Sequence, residues 1–103
     1  MEKYKTAEGK IGVIVSYGYG AGWSTWNDYG EFAAMDRTLV EMKLREAGRD
    51  EVVEYLDSIG RDFYMGGWDT AKVEWLDEGQ AFVINEYDGS ECLEVEDRRV
   101  MRA

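Results

Sequence analysis

The residues best placed to do chemistry lie in one run, Ser16-Tyr17-Gly18-Tyr19-Gly20-Ala21-Gly22-Trp23-Ser24-Thr25, with Trp26 directly after it. Glycines at alternate positions do not continue a strand comfortably, so the run reads as a loop with an aromatic edge. Glycine lets the backbone approach a ligand closely, and loop amides can cradle an anion. A nucleotide-like molecule could be held there by Tyr17, Gly18, Tyr19, Gly20, Gly22, Trp23, Ser24 and Trp26, with the four aromatics as stacking surfaces. The run lacks the lysine of a Walker loop, and Trp23 stands where GxGxxG needs its third glycine. The plainer reading of the same residues is a tight structural turn with packed aromatics.

The second candidate is acidic. From Lys72 onward come Glu74, Asp77, Glu78, Glu86, Asp88, Glu91, Glu94 and Glu96, with Trp75 among them. Alternation puts Glu94 and Glu96 on one face of a strand and Val95 on the other. Such a row is either a solvated sheet face whose charges discourage edge pairing, or a docking surface for a basic partner. Exposed charge pairs add little individually, so a tight complex also needs an apolar anchor, for which Trp75, Phe82 and Tyr87 are candidates.

Other chemistry has little support. There is no His, and the single Cys92 cannot make a zinc site or an internal disulfide. Glu86-Tyr87-Asp88-Gly89-Ser90-Glu91 is rich in oxygen ligands but lacks the spacing of a calcium loop. No carboxylate is marked by an apolar setting that would raise its pKa for acid–base work, and a Ser or Cys nucleophile would lack the usual His base. The expectation is a protein that is not an enzyme, with no cofactor and no metal.

These candidates must be positioned by a small set of elements. Ile11 to Tyr17 is nearly all apolar and β-branched, which reads as a central strand. A helix follows from Glu31 or Asp36 to Ala47, with Phe32, Met35, Leu39 and Met42 on one face, and Gly48 is expected to end it. Asp50 can cap a second helix carrying Val52, Tyr55, Leu56 and Ile59, ended by Gly60. Three β segments come next, at 72–76, 81–87 and 91–96. Asp88-Gly89 is a strong hairpin signal, because a type I′ turn needs positive φ twice. The order β-α-α-β-β-β predicts an α+β fold, a small antiparallel sheet packed on two short helices.

The chain has 103 residues, which suits one domain, 1–103, with residues 1–10 as a loose lead-in. It carries 22 acids against 12 bases, a net charge of -10, so direct nucleic-acid binding is not expected. No apolar run is long enough to span a bilayer, and Met1 to Lys10 is too polar for a signal peptide. A cytoplasmic location is the expectation. Oligomeric state is not legible.

Three stretches resemble a group of small uncharacterised phage and prophage proteins: Val13-Ile14-Val15-Ser16-Tyr17-Gly18, Asp36-Arg37-Thr38-Leu39-Val40-Glu41 and Glu86-Tyr87-Asp88-Gly89-Ser90-Glu91. Many members of the group carry a Cys before the Tyr-Gly pair, where this chain has Ser16. The resemblance implies a phage-type accessory protein acting in the host cytoplasm and supplies no activity. Together with the acidic hairpins it suggests a protein that binds a host protein with a basic surface, such as a defence or nucleic-acid-handling factor. Small-ligand binding by the glycine loop is the alternative.

Overall fold

The computed structural model describes residues 1–95 and 101–103. Glu96, expected on the acidic face, lies outside them. The chain runs β1 (Lys10–Ser16), a 3-10 turn (Ser24–Trp26), α1 (Gly30–Met35), α2 (Arg37–Leu44), α3 (Arg49–Ser58), β2 (Ala71–Asp77), β3 (Ala81–Tyr87), β4 (Ser90–Val95) and β5 (Met101–Arg102). The α+β class and antiparallel pairing follow the sequence reading. The strands form two sheets rather than one: β1 pairs with β2, and β3 pairs with β4 and β5.

β1 is buried on both faces from Ile11 to Ser16. Its period of two divides the core. Ile14 joins Leu39, Val40, Val52, Leu56 and Trp68 on the α2–α3 side. Ile11, Val13 and Val15 join Ala34, Met35, Phe82 and Ile84 on the side of α1 and the second sheet. Gly12 lets α2 approach, since a Cβ there would stand 2.8 Å from Val40 Cγ1. Residues 1–10 are not a loose lead-in. Gly12 N–H donates to Tyr4 O at 3.1 Å, Arg37 N–H donates to Glu2 O at 2.8 Å, and Lys5 bridges Ile11.

The helical region holds three helices, not two. Asp36 has extended backbone, φ -54 and ψ 128, and its carboxylate accepts from Leu39 N–H at 3.2 Å. It therefore caps α2 and breaks the first helix into two pieces. Gly48 does not end α2. Glu46 takes the left-handed position, φ 58, and Ala47 N–H returns to Met42 O at 2.9 Å. Gly48 instead precedes α3, and no side chain caps that helix, so Asp50 is a first-turn residue rather than its cap. Gly60 ends α3 as expected: its φ is 72, and Arg61 N–H donates to Leu56 O at 2.9 Å.

Candidate functional site

The glycine loop and the hairpin tip, read from sequence as separate candidates, are one structure. Asp88 and Gly89 have φ of 50 and 86, so the β3–β4 connection is the two-residue turn their types predict. That turn lies against the loop. Gly20 N–H donates to Asp88 O at 2.6 Å, and Ser90 Oγ donates to Tyr17 O at 3.0 Å. A Cβ on Gly89 would collide with Ala21 N. Glycine is therefore required there twice, for its φ and for the close approach.

Glu91 fastens the two together. It is 1% exposed. Its Oε1 accepts from Ser16 N–H at 2.9 Å, while Oε2 accepts from Trp23 N–H at 2.8 Å, Thr25 N–H at 3.0 Å and Thr25 Oγ1 at 2.6 Å. A carboxylate taken out of water needs this many donors to offset its desolvation. The loop does cradle an anion, as its glycines suggest, and the anion is this chain's own side chain. Gly22 makes room for it: a Cβ there would stand 2.6 Å from Thr25 Oγ1 and 3.0 Å from Glu91 Oε2.

Two assignments are corrected by this. Glu91 is not part of an exposed acidic face. Trp23, fully buried, is not a stacking surface for a ligand. Its ring lies 5.2 Å from that of Trp68, and its Nε1 donates to Ala33 O at 2.7 Å. Ser24 is buried beside it. An aromatic in a loop takes its depth from the chain that later folds over it, which local pattern does not record. For Glu91 a signal exists: alternation gives it the parity of Leu93 and Val95, not of Glu94.

The remaining aromatics crown the junction. Tyr19 is 75% exposed and Tyr87 is 79% exposed. Trp26 stacks on Tyr64 with ring centroids 5.6 Å apart, and its Nε1 donates to Glu86 Oε2 at 2.7 Å. Glu86 Oε2 also accepts from Gly89 N–H at 3.0 Å. Tyr17 donates its hydroxyl to Glu74 Oε1 at 2.8 Å. Partial burial first, and then the Glu74 carboxylate, push the Tyr17 phenol up to about 12, so it stays a donor at neutral pH. Tyr64 was missed from sequence because it lies in an irregular stretch; Ser16 and Thr25 fall in the loop run, but their role as donors was missed because the buried carboxylate they serve was itself missed.

The acidic residues divide. Asp77 is paired with Lys10, and Glu78 Oε1 lies 2.9 Å from Lys5 Nζ. These two sit at the far end of β2 from Tyr17. Trp75 packs on Tyr4 at 5.8 Å, on the face turned toward α2, and Phe82 is fully buried, so neither belongs to the rim. Glu94 is exposed on β4. Glu74, Glu86 and Asp88 stand at the loop–hairpin junction, and among the described residues no Lys or Arg pairs with them. Among the described residues no cluster suited to a metal ion is present, and no helix is long and apolar enough to cross a membrane. No family model matches the chain, and no curated protein or solved structure matches it.

Proposed function

We propose that this is a non-enzymatic, phage-type accessory protein that binds a basic segment of a host protein through the loop–hairpin rim and modulates it. A host defence or nucleic-acid-handling factor fits, because such proteins carry basic surfaces of their own. The observation that carries this reading is the coincidence of three carboxylates, Glu74, Glu86 and Asp88, that no Lys or Arg pairs with among the described residues, with the exposed rings of Tyr17, Tyr19, Trp26, Tyr64 and Tyr87. Carboxylates recognise guanidinium and ammonium groups by charge-assisted hydrogen bonds, and ring faces add cation–π attraction. The rings also supply the apolar anchor that charge alone lacks. The nucleotide-like alternative draws less support, since the amides of Ser16, Trp23 and Thr25 already bond Glu91.

The test uses two probes, an Arg/Lys-rich peptide and an acidic peptide of equal length, with NMR shifts and Trp fluorescence as readouts. The basic peptide is expected to perturb Tyr19, Tyr87 and Trp26 and to bind more weakly as salt rises. The variant Glu74→Gln/Glu86→Gln/Asp88→Asn keeps hydrogen-bonding atoms but removes charge, and should lose most of that binding. Affinity purification from the host with wild type and this variant in parallel would then name the partner. Equal binding by both proteins, or equal binding of both peptides, overturns the reading.

A further inference from the structure

β1 covers one edge of β2, and among the described residues no strand covers the other. The ladder's phase follows from its two ends, where Tyr17 N–H donates to Thr70 O and Glu78 N–H donates to Gly9 O. Hydrogen-bonded positions alternate along an antiparallel pair. Lys72, Glu74 and Leu76 therefore turn their backbone groups to β1, and Val73 and Trp75 turn theirs outward. Beside this edge, between the end of α2 and residues 68–73, lies a groove of about 590 Å³ whose lining includes Lys43, Ala47, Trp68, Ala71 and Val73. An open edge next to an open groove is a template for an incoming strand.

We propose that the incoming strand is β2 of a second copy of this chain, antiparallel about a two-fold axis through Val73. Charge selects this register. Opposed residues must share a face, so the axis must fall on a residue. Placed on Val73, it sets Lys72 across from Glu74 of the second copy, twice, and Ala71 across from Trp75, twice. Placed on Glu74, it opposes two like carboxylates. Placed on Trp75, it leaves Glu74 facing Leu76 and turns Lys72 to Glu78, whose charge Lys5 already meets at 2.9 Å, whereas Glu74 holds only the neutral Tyr17 hydroxyl and has no Lys or Arg partner among the described residues. Opposite charges directly across a pair stabilise it and like charges oppose it. Ala71, Val73 and Trp75 share the face toward α2, so small Ala71 and the groove leave room for the second copy's Trp75. The contact is isologous and closes as a dimer, which uses up the edge and leads to no fibre.

Sedimentation velocity over a wide range of protein concentration tests this. Wild type should pass from the mass of one chain to that of two as concentration rises. Val73→Pro removes an outward N–H at an edge where proline is tolerated, leaves every rim side chain in place, and should remain at one chain throughout. Lys72→Glu and Glu74→Lys should each weaken association at least several-fold, and the double variant should recover it. A wild type that stays monomeric at all concentrations overturns the proposal, and so does a folded Val73→Pro that dimerises as wild type does. If circular dichroism shows Val73→Pro unfolded, the charge swap decides: recovery in the double variant supports the register, and its absence overturns it. Basic-peptide binding by Val73→Pro separates failure here from failure of the rim.

Discussion

Two acidic turns in the C-terminal half are built from the same residue types and end in opposite electrostatic states. Asp77-Glu78-Gly79, between β2 and β3, has its carboxylates met by Lys10 and Lys5 from the N-terminal segment. Asp88-Gly89, between β3 and β4, has Glu86 and Asp88 beside it without a basic partner among the described residues, and Glu91 withdrawn into the protein. The first turn is neutralised surface. The second turn is fastened from beneath by one carboxylate and presents two others to solvent. A count of acids along the strands does not separate these cases; the segment that folds against each one does.

The largest expected effect comes from removing the fastening. Glu91→Ala leaves the buried N–H groups of Ser16 and Trp23, and the part-buried one of Thr25, without their acceptor. The loss should be about 3–5 kcal/mol, the range for breaking a buried charged network. Denaturant unfolding measures it. Glu91→Gln keeps the shape and one good acceptor and should cost less. If Glu91→Ala were no worse than Glu94→Ala, Glu91 would belong to the exposed acidic face after all and the contrast between the turns would fail.

Gly89→Val should come next, at about 2–4 kcal/mol, because it joins a positive-φ penalty to a collision with the loop backbone. Gly79 has a similar φ of 85, yet a Cβ there meets nothing within 4 Å. Gly79→Ala should therefore cost about 1 kcal/mol, the conformational share alone. Gly89→Ala set beside Gly79→Ala, with the same side chain and nearly the same φ, isolates the packing of hairpin on loop. Equal costs in thermal or denaturant melts would mean that the loop yields and that the junction is not rigid.

Where sequence reasoning succeeded, a local cause was sufficient. The Asp88-Gly89 turn and the end of α3 at Gly60 each follow from the positive φ that one residue type supplies. Where it failed, the cause was distant in sequence. Glu46 ends α2 in a left-handed conformation although Gly48 is two residues away, and the buried Ala47 that follows is held from a distance by Trp68, whose Nε1 donates to Ala47 O at 2.9 Å. The two sheets arise because β2 finds β1 across more than fifty residues and leaves β3 to β4 and β5. At the site, loop and hairpin were each legible as candidates. Their union was not, since it rests on Glu91 and on contacts between residues 16–26 and 86–91.

The exposed pairs at the neutralised turn set the scale of a small effect. Lys10 and Asp77 are both largely in solvent. Breaking them by Asp77→Ala should cost only about 0–1 kcal/mol, less at high salt. A loss near that of Glu91→Ala would mean that the first turn is also structural, and the comparison would collapse from the other side.

The smallest expected effect is a pH dependence confined to the rim. Tyr17 is held to about 12, from an ordinary 10, by partial burial and by the carboxylate of Glu74 that accepts its hydroxyl. A group whose pKa is raised by folding favours the folded state while it is protonated. Its contribution is therefore complete below pH 10 and is lost as pH rises through about 12. Tyr17→Phe removes that contribution, so wild type and variant should differ in melting temperature near neutral pH and converge at strongly alkaline pH. Because Tyr17 is 41% exposed, solvent screens the interaction and the gap should be small. Glu74→Gln supplies the complementary arm: the tyrosinate absorbance of Tyr17 should then appear at lower pH. An unchanged alkaline titration in Glu74→Gln would show that burial alone raises the phenol, and Glu74 would then be free to engage a basic partner without first releasing Tyr17.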